Sequence, residues 1–171
     1  LSKLAGAASN AALAIVEAMP EGQRQELYSA ILPQLTRTDP HRASEIVAAR
    51  QSFSLNQVAR VASSLAVDNS QSAFEWAAEL KRGPVRNEAL KVVTQQMAHS
   101  DPERCAHVLS GLDSKVAEPL MQVLASTWSQ YDMPATLRWI STLGPSGAGM
   151  IPQIAENAPL NPNVAAEAAA H

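Results

Sequence analysis

Residues 69–102, NSQSAFEWAAELKRGPVRNEALKVVTQQMAHSDP, contain the unit that the rest of the chain repeats. The stretch predicts two amphipathic helices joined by a turn at residues 82–84. It ends in Asp101 and Pro102, where the next helix is expected to begin. This helical hairpin decides the fold, because its pattern recurs along the chain.

Four Asp or Asn residues, which we call the cap residues, mark successive copies of the unit. They are Asp39, Asn69, Asp101 and Asp132, spaced 30, 32 and 31 residues apart. Such side chains accept hydrogen bonds from the free backbone N–H groups at the start of a helix. Pro40 and Pro102 directly follow two of them, and proline is tolerated in a first helical turn. Each cap residue therefore predicts a helix start, which at Asp132 is expected within two residues.

The residues after each cap residue form one stripe of a predicted helix, which we call helix A. Positions +4, +7, +8 and +11 lie on one face of an α-helix and are small or apolar, with a single exception at Arg50. They are Ala43, Ala73, Cys105 and Thr136 at +4; Ile46, Trp76, Val108 and Trp139 at +7; Val47, Ala77, Leu109 and Ile140 at +8; and Arg50, Leu80, Leu112 and Leu143 at +11.

The residues before each cap residue form a second stripe, helix B, which is expected to end just before the next helix A. Its apolar positions are −11, −8 and −4, again one helical face. They are Tyr28, Val58, Leu90 and Met121 at −11; Ile31, Val61, Val93 and Leu124 at −8; and Leu35, Leu65, Met97 and Trp128 at −4.

The repeat predicts an all-α protein, a right-handed-type α/α superhelical solenoid of about four to five antiparallel helix pairs. A hairpin of about 31 residues cannot bury its apolar face alone, so successive hairpins are expected to stack. The composition agrees, because 46% of residues are hydrophobic but only 4% are aromatic. The predicted helical-repeat domain covers residues 1–143. Its units span approximately 8–38, 39–68, 69–100 and 101–131, followed by a partial unit at 132–143.

Residues 144–171 are rich in Gly, Pro and Ala and are expected to form a C-terminal cap or tail. The sequence GPSGAG at 144–149 is interpreted as a flexible linker. The chain begins without Met, which suggests a processed or excised fragment.

These landmarks resemble the α/α solenoid class, which includes tetratricopeptide-like and HEAT-like repeats. The resemblance covers roughly residues 8–143 and concerns architecture, because the W-x-x-L-G-x-x-Y pattern of tetratricopeptide repeats does not occur at Trp76. The period is also shorter than the usual HEAT unit. The combination of Trp-Ala-x-x-Leu, Ala-Leu-x-x-Val and Asp-Pro is similar to Ala-rich helical repeats of bacterial proteins, and it implies no activity.

No residue pattern predicts catalysis, a metal site or a cofactor. His99 and Ser100 adjoin Asp101, but Ser100 and Asp101 are better explained as the cap of the next helix. Cys105 and His107 stand two apart on a predicted helix and so point to different sides. Cys105 is the sole cysteine, and the four histidines lack metal-ligand spacing.

The charge distribution offers one local binding surface. The 13 basic and 16 acidic residues give a net charge of −3, which argues against a general grip on nucleic acid. A basic group lies at the turn and start of one helix B; a solvated face is the favoured interpretation, and a docking surface for acidic side chains or an anion is the alternative. Further polar residues on helix B faces are expected to contact a peptide or protein. Together the candidate binding residues are Lys81, Arg82, Arg86, Lys91, Arg60 and Gln95.

The leading hypothesis is a non-enzymatic helical-repeat scaffold that binds a protein or peptide. One alternative is an accessory helical domain of a larger enzyme, for example of the cell envelope, that shapes substrate access. A weaker alternative is a nucleic-acid-binding repeat. No apolar run approaches the roughly 18 residues of a membrane span. The sequence assigns neither an oligomeric state nor a compartment, and bacterial cytoplasm and periplasm both stay open.

Overall fold

A computed structural model describes residues 11–50 and 52–157 of the chain. Every regular element in these ranges is a helix, which confirms the all-α class. The helices are α1 (11–18), α2 (Glu21–Thr38), α3 (Pro40–Arg50), α4 (Leu55–Glu79), α5 (Pro84–Ser100), α6 (Pro102–Ser110), α7 (Ser114–Trp128), α8 (Met133–Thr142), α9 (Pro145–Ala148) and α10 (Ile151–Asn157). The fold consists of two compact units, which divide between Gln96 and Met97 within α5.

All four cap residues stand at helix starts, as predicted. Each is extended, with φ between −143° and −156°, and its side-chain oxygen accepts a hydrogen bond from the backbone N–H three residues later. The pairs are Asp39 with Arg42 at 3.0 Å, Asn69 with Ser72 at 3.0 Å, Asp101 with Arg104 at 3.0 Å and Asp132 with Ala135 at 2.9 Å. At Asn69 the break in backbone angles divides α4 into a helix B and the following helix A.

The predicted stripes face the interior. All eight residues at positions +4 and +8 are at most 2% exposed, so the interior face of each helix A is correctly assigned. The +7 position is less buried, because Trp76, Val108 and Trp139 are each half-buried. In helix B, Ile31 and Met121 are half-buried, and the other residues at −11, −8 and −4 are buried.

Helix B also buries its residues at positions −7 and −3, which were not part of the predicted apolar stripe. Most of these residues are small, so a neighbouring helix can approach closely. They are Leu32, Ala62, Thr94 and Ala125 at −7, and Thr36, Ala66, Ala98 and Ser129 at −3.

The exceptional arginine in the helix A stripe has a partner on the facing helix. The Arg50 guanidinium carbon lies 4.4 Å from the centroid of the Tyr28 ring. Tyr28 is 5% exposed and is the only tyrosine at the −11 position. A cation–π contact therefore replaces the apolar contact that leucine makes at +11 in the other units.

In the N-terminal unit α2 packs on α3 and α4, and α3 packs on α4. Two hydrogen bonds join the successive B helices α2 and α4. The Gln57 side-chain amide donates to the Ser29 carbonyl at 2.9 Å, and the Ser64 hydroxyl donates to the Thr36 carbonyl at 3.2 Å. Gln57 also completes a capping box with Ser54, which fixes the start of α4.

In the C-terminal unit α7 packs on α6, α8 and α10, and α8 packs on α9. Met150 and Ile154 are 4% and 2% exposed and join Met133 and Ile140 in one hydrophobic cluster. The core of this unit therefore includes residues beyond 143.

The linker interpretation of GPSGAG is wrong for residues 145–148, which form α9. Gly144 has φ 60°, a left-handed conformation that glycine adopts readily, and it turns the chain back after α8. Gly147 then lies buried against Ile140. Residues 1–10 and 158–171, which include the end of the expected tail, lie outside the described residues.

Candidate functional site

The predicted basic residues are on the N-terminal unit, near the start of α5. Lys81 and Arg82 are exposed in the turn before the helix, and Arg86 is half-buried in its first turn. Lys91 is exposed, and its Nζ lies 4.0 Å from Glu88 Oε2. Lys91 therefore has an acidic neighbour one turn away in its own helix.

Helix geometry separates some of these predicted binding residues. Lys91 and Gln95 are four residues apart and share one stripe of α5. Arg86 and Lys91 are five apart, which places them about 140° from each other around the helix axis. Arg86 Nε is buried and has no hydrogen-bond partner among the described residues. Arg60 is exposed on a different helix, α4. The binding role of these residues stays a prediction.

A cleft that the sequence patterns did not predict lies in the C-terminal unit. It has a volume of about 310 Å³ and is formed by α6, α7 and α8. We call it the tryptophan cleft, because its largest apolar side chains are Trp128 and Trp139. The complete lining is Glu103, Ala106, Trp128, Ala135, Arg138, Trp139 and Thr142.

The tryptophan cleft combines an aromatic floor with small walls. The rings of Trp128 and Trp139 lie 5.9 Å apart between centroids, at 36° to each other. Trp128 is 5% exposed, so its ring forms the base of the cleft, whereas Trp139 is half-buried. Ala106 of α6 and Ala135 of α8 also line the cleft, and neither side chain extends beyond Cβ.

One charged residue stands on each of the two outer helices. Glu103 on α6 and Arg138 on α8 are both exposed. No ion pair between Glu103 and Arg138 occurs in the described structure, where the salt bridges formed by arginine involve Arg42. Both charges are therefore accessible to a ligand.

The Trp139 indole has a donor that the described protein does not use. No described residue accepts a hydrogen bond from the Trp139 N–H, whereas the Trp76 indole donates to the Ser44 carbonyl at 3.2 Å. Trp76 and Trp139 occupy the same +7 position of the repeat. The indole N–H of Trp76 is therefore bonded to α3, whereas the indole N–H of Trp139 is available for a ligand or water.

The Cys105 thiol and the His107 imidazole lie on different sides of α6. Burial raises the pKa of the Cys105 thiol to about 12, and the negative charge of Asp101 adds to the effect. Cys105 is therefore a neutral thiol at physiological pH, which agrees with its interpretation as a core residue. His107 is exposed on the opposite side of α6.

Residues 11–50 and 52–157 contain no group of three His, Cys, Asp or Glu side chains placed to hold a metal ion. Within these same residues, no helix has the length and hydropathy needed to cross a membrane.

Comparisons with known proteins return no match, whether with family models, with characterised proteins or with solved structures. The geometry of the described residues is therefore the basis for a functional proposal.

Proposed function

We propose that the chain is a non-enzymatic module of stacked helical hairpins, an α/α solenoid, that binds a peptide or an exposed segment of another protein. The tryptophan cleft is the observation that carries this proposal. At about 310 Å³ it is at the lower end of the range of ligand sites in proteins, and it holds one or two apolar side chains.

The residue types in the cleft favour protein recognition. Trp and Arg are the residues most enriched among those that dominate the energy of protein interfaces. Trp139 offers a large apolar face together with an indole N–H that lacks an acceptor among the described residues. Peptide backbones supply a carbonyl acceptor at every residue, so this donor suits an apolar peptide segment.

The stacked arrangement of the hairpins is supported by two observations. The four cap residues have the same backbone and hydrogen-bond geometry at a spacing of about 31 residues. In the N-terminal unit, successive B helices are also joined by hydrogen bonds from Gln57 and Ser64. Solenoids of this kind commonly present extended surfaces to protein partners.

Selection from a displayed library of short random peptides tests the binding role. The full chain is expected to enrich binding peptides. A synthetic copy of one of these should bind the Ala135→Gln variant at least about tenfold more weakly, because the longer side chain fills the cleft and interface centres tolerate such changes poorly.

Ser72→Gln provides the matched control. Ser72 and Ala135 both occupy the third residue of a helix capped by Asn or Asp, and Gln is a good helix former, so both variants should keep the fold. The Ser72→Gln variant should retain the full affinity. Failure to enrich any binding peptide would overturn the proposed function, and equal affinity of the two variants would place binding outside the cleft.

A further inference from the structure

We infer that the tryptophan cleft recognises a peptide segment in which an apolar anchor side chain is accompanied by both a carboxylate and a cation. The inference rests on the proposed function and adds the chemistry of the occupant. It depends on the charges that border the cleft, on the packing of the two tryptophans and on the length of the cleft.

The charges of the cleft lining are balanced and lie on different helices. Glu103 stands on α6 and Arg138 stands on α8, while Trp128 and Trp139 lie in the apolar part of the lining. A segment with only acidic residues would be attracted by Arg138 and repelled by Glu103. A segment with only basic residues would be attracted by Glu103 and repelled by Arg138. A segment with one charge of each sign can pair with both residues.

The packing of the two tryptophan rings leaves no aromatic cage between them. A quaternary ammonium group binds over aromatic faces, commonly in a cage. The centroids of Trp128 and Trp139 are only 5.9 Å apart, so the two rings contact each other and leave no space for such a group between them. An uncharged anchor side chain, packed on the outer face of the pair, fits the cleft better.

The length of the cleft limits the distance between the anchor and the two charges. On α8 the lining extends from Ala135 to Thr142, which is eight residues and about 10 Å along the helix axis. An extended peptide rises about 3.3 Å per residue. The cleft therefore accommodates about three to four residues, and both charges are expected within about two residues of the anchor.

Parallel selections from one random peptide library test the inference. The full chain should enrich peptides with an acidic and a basic residue near an apolar residue. Arg138→Glu should shift the enriched peptides towards two basic residues, and Glu103→Lys should shift them towards two acidic residues. Two charge reversals outside the cleft, Lys115→Glu and Glu118→Lys on exposed positions of α7, should leave the enriched composition unchanged.

The binding affinity of a synthetic peptide, taken from the selection with the full chain, provides a quantitative test. Replacing its acidic residue by the corresponding amide should weaken binding by roughly 1.4- to 5-fold, the effect of one exposed ion pair. The same replacement should have no effect on binding to Arg138→Gln, because the partner charge is already absent.

The outcomes distinguish a failure of the proposed peptide-binding function from a failure of the inferred occupant. If no peptide is enriched, the proposed function itself fails. If peptides bind at the cleft but their charges are the same for the full chain, Arg138→Glu and Glu103→Lys, the inferred occupant is wrong while the binding function stands. Shifts in opposite directions for the two variants support the inference.

Discussion

A single methyl group at Gly147 should destabilise the C-terminal unit. A Cβ atom built there lies 2.2 Å from the Ile140 carbonyl oxygen and 2.9 Å from Ile140 Cγ2. Contacts below 3.0 Å do not occur at real Cβ atoms, and the nearest atom belongs to the backbone of α8. In Gly147→Ala, α9 must therefore move away from α8 by about 1 Å, in a core that is packed as densely as a crystal.

The magnitude follows from two opposing contributions. Overpacking of a core typically costs about 1–3 kcal/mol. Replacing glycine by alanine at a helical position recovers about 0.4–1 kcal/mol, because the unfolded chain loses freedom. We expect a net loss of about 1–2 kcal/mol in the free energy of unfolding. For a chain of 171 residues each kcal/mol lowers Tm by about 2–4 °C.

Thermal unfolding followed by circular dichroism measures this difference. Gly149→Ala is the matched control, because Gly149 has φ −67° and its added Cβ meets only the Ser146 carbonyl at 3.8 Å. Its Tm should be equal to that of the parent or slightly higher. If Gly147→Ala were as stable as Gly149→Ala, α9 would not lie against Ile140 and the description of the C-terminal core would be refuted.

Substitutions at three other sites test the core, the caps and the buried thiol. Trp128→Ala should cost about 3–5 kcal/mol in urea unfolding, because Trp128 is 5% exposed; a Tm within a few degrees of the parent would contradict its place in the core. Asp101→Ala should cost about 0.5–2 kcal/mol through loss of the α6 cap, while Asp101→Asn should stay close to the parent, as Asn69 fills the same role in α4; equal losses in both variants would show that capping is not the cause. For Cys105 the raised pKa means that between about pH 9 and pH 12 the unfolded chain loses the thiol proton while the folded chain keeps it, so stability falls as the pH rises through this range. The stability of the parent relative to Cys105→Ala should therefore decrease by up to about 1.4 kcal/mol per pH unit above pH 9, and a constant difference would contradict the burial of the thiol.

The helix pattern could be predicted from sequence because it depends on local chemistry. An Asp or Asn side chain caps the helix that follows it, and the 3.6-residue period fixes which residues share its face. These two rules located all four helix starts and the buried +4 and +8 positions. The small residues of helix B at −7 and −3 were missed, because Ala and Thr carry only a weak hydrophobic signal.

Features that depend on contacts distant in sequence could not be predicted in the same way. The composition of GPSGAG favours a linker, and only the approach of Gly147 to Ile140 makes it part of the core. Arg50 departs from the apolar pattern, and only the nearby Tyr28 ring accounts for it.

The tryptophan cleft was missed for a related reason. The repeat assigns both Trp76 and Trp139 to the same buried position, and the sequence does not reveal which indole finds an acceptor. Trp76 donates to Ser44, and Trp139 has no acceptor among the described residues. The acceptor of the Trp76 indole lies 32 residues away in sequence, and no local pattern encodes such a contact.

The indole N–H resonances provide the most direct test of peptide binding at the tryptophan cleft. The chain has three tryptophans, so a ¹H–¹⁵N correlation spectrum should contain three indole signals, which Trp76→Phe and Trp139→Phe can assign. On titration with a selected peptide, we expect the Trp139 signal to shift as its N–H gains an acceptor, while the Trp76 signal, already bonded to Ser44, stays in place. A peptide that binds without moving the Trp139 signal, or that moves the Trp76 signal equally, would contradict binding at the cleft.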